Sequence, residues 1–227
     1  MVRDCKNKTE TNKIPKRVNE LKGKFITFEG PEGSGKTTHL KLLAKSLKDR
    51  GYNVVLLQDP GSTEIGKRIR SILLDHNLSN MSPYCELCLY LAARCQLVEE
   101  RIKGLLRQGK IILCDRFNDA TLAYQGYAAD ISIDFLTALT QDYLFKGVMP
   151  DLTILLDIEV ETGLKRILKG RLPDRQEKKD ISFHKKVRAG YLDLAKKHPE
   201  RIKVVSSRDP IKVVQDKIKE IVRDVLD

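Results

Sequence analysis

Residues 24–38 constrain this chain more than any other stretch. The apolar run Phe25–Phe28 is typical of a buried strand, and it leads directly into a glycine-rich segment, Gly30-Pro31-Glu32-Gly33-Ser34-Gly35-Lys36-Thr37. This segment is a complete G-x-x-x-x-G-K-[ST] phosphate-binding motif. A helical pattern follows at once, with apolar residues at Leu40, Leu43, Ala44 and Leu47. Because strand, loop and helix occur in the order that the motif requires, we predict a site for a nucleoside triphosphate.

Each residue type in the motif suits a phosphate group. Glycines let the backbone curl closely around an anion, and the N–H groups at the start of the helix attract negative charge. Lys36 supplies a full positive charge toward the terminal phosphates, and the Thr37 hydroxyl is a ligand for Mg²⁺. The residues expected to bind the triphosphate are Gly30, Pro31, Glu32, Gly33, Ser34, Gly35, Lys36, Thr37 and Thr38.

Length and composition indicate one globular domain. The chain has 227 residues, 41% of them hydrophobic and 32% charged, which is enough for a sizeable core. No apolar run has the length of a transmembrane helix, and no secretory signal is visible. The net charge of +11 suits an enzyme for anionic small molecules or a nucleic-acid-binding protein. No RNA- or DNA-binding module is recognisable, so we expect neither nucleic acid nor a membrane as a partner.

Residues 1–22 differ from the remainder of the chain. They carry seven Lys or Arg residues against three Asp or Glu residues, and they lack the periodicity of a core-forming element. We predict a basic, disordered extension here and a single domain over residues 23–227. A targeting segment is the alternative, although transit peptides are usually poor in acidic residues.

The cysteines indicate a reducing compartment. There are five, an odd number, and four lie inside apolar patterns, so we expect free thiols in a cytoplasmic protein. Cys85 and Cys88 have the spacing of a redox or zinc pair, but they lie in a helical pattern without a second pair. We therefore interpret them as small buried residues of the core.

Short runs rich in Val, Ile and Leu alternate with helical patterns. The predicted strands are Phe25–Phe28, Asn53–Leu57, Lys110–Cys114, Leu152–Leu156 and Ile202–Val205. Helical patterns occupy residues 36–50, 63–75, 83–108, 132–146, 160–169, 181–197 and 210–226. This alternation predicts an α/β fold, a three-layer α/β/α sandwich with a five-stranded parallel sheet. Ligands of such folds bind at the carboxyl ends of the strands.

Polar residues follow the third predicted strand and mark the helix before it. Asp115 and Arg116 end the strand, where an acid suits water-mediated Mg²⁺ and a guanidinium suits a phosphate. Tyr90 and Arg94 are four residues apart and share one helix face, which suits either a nucleotide base or ordinary core packing. The amide of Gln125 can both donate and accept hydrogen bonds, as the edge of a base requires.

A dense run of positive charge begins at Lys165 and is broken by Gly170 and Pro173. Charge runs are usually solvated surfaces. Because this one follows the fourth strand of the predicted sheet, we interpret residues 166–180 as a lid that closes over transferring phosphate.

Together these motifs resemble one family, the thymidylate kinases of the bacterial type. The resemblance covers residues 24–227 and keeps the family order of motifs. It is carried by the phosphate loop with an acid at Glu32, by the Pro-Gly-x-Thr loop at 60–63 and by Leu-Tyr-Leu-Ala-Ala-Arg at 89–94. The further motifs are Asp-Arg-Phe at 115–117, Thr-Leu-Ala-Tyr-Gln-Gly at 121–126, Pro-Asp-Leu-Thr-Ile-Leu-Leu-Asp at 150–157 and Asp-Arg-Gln-Glu at 174–177.

The resemblance implies a fold of the P-loop NTPase type and transfer of the ATP γ-phosphate to dTMP, with Mg²⁺ as cofactor and a homodimer formed through the helix at 83–108. It implies that Lys36 and the loop hold ATP, that Thr37 and Asp115 serve the metal, and that residues 206–210 lie near adenine. Glu32 matches the acid near the acceptor sugar and phosphate. The positions matching dTMP-binding residues are Tyr90, Arg94, Arg116, Thr121 and Gln125.

The bacterial form of this family has a glycine, here Gly33, where the other form has a catalytic arginine. The resemblance therefore implies that the lid supplies the positive charge, with Arg171 and Arg175 as the candidates and Arg166 nearby. The residues expected to act in catalysis are Glu32, Lys36, Arg116, Arg171 and Arg175.

One position departs from the family pattern. Gln58 stands where the family usually has an arginine that grips the acceptor phosphate. The neutral side chain predicts weaker dTMP binding, unless another basic residue compensates. A kinase for another nucleoside monophosphate therefore stays open, as does a nucleotide-dependent nucleic-acid-binding protein.

Overall fold

We describe a computed structural model of the chain over residues 23–145, 147–168 and 172–226. Five parallel strands form the sheet: β1 (Lys24–Glu29), β2 (Val54–Gln58), β3 (Ile111–Asp115), β4 (Leu152–Asp157) and β5 (Ile202–Ser206). Their order across the sheet is β2-β3-β1-β4-β5. The prediction of five parallel strands is confirmed. Strands that are covered on both faces need apolar side chains in both directions, and this is the pattern that the sequence shows.

Helices follow each of the five strands along the chain. They are α1 (Lys36–Asp49), α2 (Glu64–Leu74), α3 (Pro83–Leu97), α4 (Lys103–Arg107), α5 (Asn118–Thr121), α6 (Ile133–Thr137), α7 (Val160–Ile167), α8 (Ile181–Lys197) and α9 (Ile211–Leu226). Wider π-helical turns extend α3, α5 and α6 at Val98–Ile102, Leu122–Ala128 and Ala138–Leu144. The predicted helix at 83–108 is therefore nearly continuous, since α4 follows α3 through such a turn.

Two apolar clusters cover the faces of the sheet. Successive strand residues point to opposite faces, so Phe25 belongs to one cluster and Ile26 to the other. The cluster around Phe25 contains side chains of α3, α5 and α8, whereas the cluster around Ile26 contains those of α1 and α9. This is the three-layer arrangement that the sequence predicted.

Local sequence sets the start of several helices. The Thr63 side chain accepts a hydrogen bond from Gly66 N at 2.9 Å at the start of α2. Ser82 caps α3 in the same way, with Pro83 at the first helical position. Such caps satisfy backbone N–H groups that the helix itself leaves without partners.

The structure corrects the interpretation of two cysteines. Cys85 and Cys88 are exposed on α3, not buried in the core, and the described cysteines are all free. Their apolar surroundings in sequence reflect a half-exposed helix face that also includes Tyr84, whose surface is 65% exposed.

A helical segment at 118–128 was not predicted at all. The predictions for residues 1–22 and for Arg171 lie outside the described residues. Within the described part of the chain, no helix combines the length and hydropathy needed to cross a bilayer.

Candidate functional site

A cleft of about 680 Å³ opens at the carboxyl ends of the strands. The phosphate loop forms one wall and the segment after β3 forms another. The cleft is lined by Glu32, Lys36, Thr37, Asp115 and Arg116, and also by Tyr90, Arg94, Thr121 and Gln125. The sequence motifs therefore converge on one volume, because the carboxyl ends of parallel strands share an edge.

Lys36 extends along the phosphate loop, where its ammonium group is buried. Its Nζ donates hydrogen bonds to Gly30 O at 3.0 Å and to Pro31 O at 2.9 Å. Burial and the nearby charge of Arg116 lower the pKa of Lys36 to about 8, against the opposing effect of Glu32. The lysine is thus held by carbonyl oxygens that an anion's oxygens can replace.

Thr37 and Asp115 come together at the floor of the cleft. The Thr37 hydroxyl donates to Asp115 Oδ2 at 2.8 Å, and the strand register places Asp115 beside Phe28, two residues before the loop begins. No group of three or more His, Cys, Asp or Glu residues forms a metal cluster among the described residues. Two oxygen ligands nevertheless fit Mg²⁺, which usually keeps several waters and takes its other ligands from phosphate oxygens.

Arg116 joins the loop to the far side of the cleft. Its Nη2 lies 2.7 Å from Glu32 Oε1 and 3.1 Å from the Tyr124 hydroxyl, and its Nη1 donates to the Tyr191 hydroxyl at 3.1 Å. Its backbone has a φ of 69°, a left-handed conformation that is uncommon for a bulky residue. The guanidinium is therefore held in place by three other side chains.

Glu32 stays ionised because of its surroundings. Burial raises its pKa, but the charges of Arg116 and Lys36 and a hydrogen bond from Tyr124 outweigh burial and lower the pKa to about 2. Tyr124 donates to Glu32 Oε1 at 2.7 Å. A fixed carboxylate beside the loop can accept a hydrogen bond from a sugar hydroxyl, and its charge also offsets that of Arg116.

Gly33 lies against the backbone of α7. A Cβ at position 33 would lie 2.1 Å from the carbonyl oxygen of Gly163, and φ at Gly33 is +70°. A Cβ at Gly163 would in turn lie 2.1 Å from the carbonyl oxygen of Glu32. The loop and the α7 backbone thus leave no room for a side chain at position 33 unless one of the two backbones shifts.

Arg94 is buried on the other side of the cleft. It is 1% exposed, its Nε is paired with Asp59 Oδ2, and its Nη1 donates to Thr121 Oγ1 at 2.7 Å. The guanidinium also lies 5.4 Å from the ring centroid of Phe117. Burial raises the pKa of Asp59 more than Arg94 lowers it, so desolvation dominates this pair.

Tyr90 and Gln125 complete this end of the cleft. Gln125 Nε2 donates to Glu86 Oε1 at 2.9 Å. Burial raises the pKa of the Tyr90 hydroxyl strongly, with Glu86 adding to the effect, so the hydroxyl stays neutral. An aromatic ring, a guanidinium, a hydroxyl and an amide therefore line one cavity, which are the groups that recognise a planar base.

Arg175 does not line the cleft in this structure. It is buried against α2 and α3, where its Nη2 lies 2.6 Å from Glu86 Oε2 and its Nε donates to Leu73 O at 2.8 Å. Arg175 and Glu86 therefore form a buried ion pair. Arg166 of α7 does line the cleft, and it donates to Ser207 O at 3.4 Å.

Sequence reasoning missed Arg70, which lines the cleft beside Gln58. A Cβ built on Gly61 would lie 3.2 Å from Gln58 Oε1 and 3.5 Å from Arg70 Cδ, so these two side chains flank the same glycine. Arg70 also donates to Pro60 O at 3.1 Å. Its place four residues before the end of α2 resembles any surface charge, so the sequence offered no clear signal.

Comparisons with known proteins show which family this chain resembles. A family model described as thymidylate kinase matches residues 28–218. A thymidylate kinase of Clostridium novyi (strain NT) is 44% identical over 200 residues, which cover 87% of this chain and 97% of that protein. One from Geotalea uraniireducens (strain Rf4) is 46% identical over 192 residues, which cover 81% of this chain and 88% of that protein.

A solved structure shows the same similarity in three dimensions. The crystal structure of thymidylate kinase from Ehrlichia chaffeensis matches with a TM-score of 0.73 and 34% identity, covering 88% of this chain and 98% of that one. The family model spans most of the chain, and the relatives match over nearly their whole length. The chain therefore belongs to the thymidylate kinase family.

Proposed function

We infer that this protein transfers the γ-phosphate of ATP to dTMP, giving dTDP and ADP. One observation carries the inference: a single cleft holds the phosphate loop at one end and the base-type cluster of Tyr90, Arg94, Thr121 and Gln125 at the other. Arg116 lies between them, in contact with Glu32 of the loop. Two nucleotides bound in this way would have their phosphates facing each other.

The residues divide the work by position and charge. Residues 30–38 bind the ATP phosphates, with Lys36 supplying positive charge at the β- and γ-phosphates. Arg116 binds the phosphate of dTMP, and Glu32 accepts a hydrogen bond from its sugar. Holding both phosphates in line and offsetting their charge is most of what phosphoryl transfer asks of a protein.

Thr37 and Asp115 are the residues that would hold Mg²⁺, which supplies charge neutralisation at the phosphate oxygens when bound. The hydrogen bond of 2.8 Å between Thr37 Oγ1 and Asp115 Oδ2 brings their oxygens close enough for one ion and its waters. Removal of free Mg²⁺ with EDTA is expected to abolish transfer, and added Mg²⁺ to restore it.

Arg166 is the described lid-side arginine placed to act on phosphate, because it lines the cleft beside the loop carbonyl of Gly33. We keep Arg171 as a further candidate. Arg175 would reach the phosphates only after leaving Glu86, so we assign it a catalytic role only in a rearranged lid. Closure of the lid would exclude water, which otherwise competes for the γ-phosphate.

A coupled ADP-release assay tests the proposal. ATP and Mg²⁺ are supplied with dTMP, dUMP, dCMP, dGMP or AMP in turn, and kcat/KM is compared. We expect the highest value with dTMP. Faster turnover with dCMP or AMP would reject thymidylate as the acceptor, and release stimulated only by nucleic acid would reject the kinase.

We also propose a homodimer and a cytoplasmic location. The exposed face of α3 includes Tyr84, Cys85 and Cys88, an apolar surface of the kind that a second copy covers. The exposed thiols support the cytoplasmic location, because free thiols persist best in a reducing compartment. Sedimentation of Tyr84→Glu should show monomer where the unchanged protein shows dimer; a monomeric unchanged protein would reject the dimer.

A further inference from the structure

Glu86 is a buried carboxylate that contacts two functional parts of the molecule at once. It lies in the first turn of α3 and is 3% exposed. On one side it accepts a hydrogen bond from Gln125 Nε2 at 2.9 Å. On the other it contacts the lid segment, with Arg175 Nη2 at 2.6 Å and Lys179 Nζ at 3.1 Å.

The contact with Glu86 decides which way the Gln125 amide points. An ionised carboxylate only accepts hydrogen bonds, so the NH₂ group of Gln125 must face it. The carbonyl oxygen is then directed away from Glu86, in a side chain that lines the cleft. Within the described residues no group donates to this oxygen. The cleft thus presents a hydrogen-bond acceptor at this position.

An acceptor at this position distinguishes pyrimidines. Thymine carries a donor at N3, whereas cytosine carries an acceptor at N3 and an NH₂ group at C4 where thymine has an oxygen. Arg94, which only donates, favours the thymine oxygen and opposes the cytosine NH₂ group. A Gln125 amide turned the other way would lose this preference.

The same carboxylate fixes the lid segment. Arg175 N and Nε also donate to Leu74 O and Leu73 O at 3.4 and 2.8 Å, so the segment is fixed to the end of α2 as well. Lys179 Nζ lies 4.2 Å from the ring centroid of Phe183. Burial raises the pKa of Glu86, but Lys179, Gln125 and Arg175 outweigh burial and lower it, so the group stays charged.

We propose that Glu86 is a positioning residue that couples recognition of the base to the position of the lid segment. Its carboxylate orients Gln125 toward a base with a donor at N3, and it fixes the lid segment through Arg175 and Lys179. A base that donates to the Gln125 oxygen polarises the amide and strengthens its bond to Glu86. This inference rests on the proposed function, because it needs dTMP as the acceptor.

Glu86→Gln tests both parts of the coupling. The variant keeps the shape, removes the charge, and can present either NH₂ or oxygen to Gln125. We expect the ratio of kcat/KM for dTMP to that for dCMP to fall about tenfold or more, the effect of one misdirected hydrogen bond. Hydrogen exchange of residues 174–180, slowed by dTMP in the unchanged protein, should no longer respond to dTMP.

Two further variants separate coupling from general loss of stability. Asp119→Asn removes another buried carboxylate, 2% exposed and paired with Arg201 at 2.7 Å, which does not line the cleft. It should lower stability and keep both the selectivity ratio and the exchange response. Lys179→Met removes one lid contact, so it should weaken the exchange response while leaving selectivity unchanged.

The outcomes are distinguishable. If the unchanged protein does not turn over dTMP, the proposed function fails. If it does, and Glu86→Gln keeps its selectivity and exchange response, the coupling is wrong while the function stands. If Glu86→Gln does not fold, Lys179→Met decides, because an exchange response equal to that of the unchanged protein would overturn the coupling.

Discussion

Replacing Asp59 by asparagine should destabilise the protein far more than its small change in volume suggests. The Asp59 and Arg94 side chains are 0% and 1% exposed, so the substitution leaves a guanidinium buried without its counter-charge. Breaking a buried pair by removing one partner costs about 3–5 kcal/mol. For a chain of this size each kcal/mol lowers Tm by about 2–4 °C, so Asp59→Asn should lower Tm by roughly 6–20 °C.

The assay is urea unfolding followed by circular dichroism, with a matched control on the surface. Asp49 pairs with Lys45 at 2.8 Å, but these side chains are 62% and 76% exposed. Asp49→Asn should therefore change the free energy of unfolding by no more than about 0.5 kcal/mol. Equal stabilities of Asp59→Asn and Asp49→Asn would refute the reasoning.

A double variant separates stability from function. Asp59 Oδ1 has no hydrogen-bond partner within the described residues, and burial dominates its pKa, so the pair contributes little net stability. Asp59→Asn/Arg94→Met removes both charges and should be more stable than Asp59→Asn alone. If Arg94 binds the base as proposed, the double variant should still bind dTMP poorly. Destabilisation equal to the sum of the two single variants would contradict this account.

The remaining predictions concern the phosphate-binding side of the cleft. Lys36→Ala should lower kcat at least 100-fold, because about 3 kcal/mol of charge stabilisation is lost. Lys45→Ala, on the same helix, should leave kcat unchanged, and unfolding curves establish that both variants are folded. Gly33→Ala should impair ATP binding, because its Cβ would lie 2.1 Å from the Gly163 carbonyl oxygen. An unchanged KM for ATP would contradict this and show that the loop can shift. Gln58→Arg should tighten dTMP binding, as measured by calorimetry. A charge-assisted hydrogen bond of about 1.5–3 kcal/mol would give a tenfold or larger gain in affinity, but we expect a smaller gain because Arg70 lies nearby and repels a second cation. Unchanged affinity would mean that Arg70 already compensates fully.

The strands were predictable because a buried parallel strand needs a run of apolar residues, as the four residues before Asp115 in the fully buried strand β3 show. The segment at 118–128 was missed for a related reason. Nearly all of its residues are buried, polar ones such as Asn118, Asp119 and Gln125 included, so polar and apolar residues do not separate onto two faces and there is no helical periodicity to detect. The sequence likewise could not separate a core position from an exposed apolar one, as Cys88 shows.

The placement of the site residues was predictable where they lie in a local motif and not where it depends on distant contacts. The phosphate loop is contiguous, so its residues and their geometry follow from one stretch of sequence. Glu86 contacts Lys179, which lies 93 residues further along the chain, and nothing local marks that pair. Arg175 was expected near the phosphates from the family resemblance, whereas tertiary packing places it against Glu86.

The contact between Gly33 and Gly163 limits how this enzyme can change during evolution. An arginine at position 33 would need both a left-handed backbone and space that the α7 backbone already fills. If the lid supplies the phosphate-binding cation, as proposed above, its transfer to the loop would require α7 to move first, and the intermediate sequences would have neither arrangement intact. A single substitution cannot connect the two designs, so each is expected to persist once established.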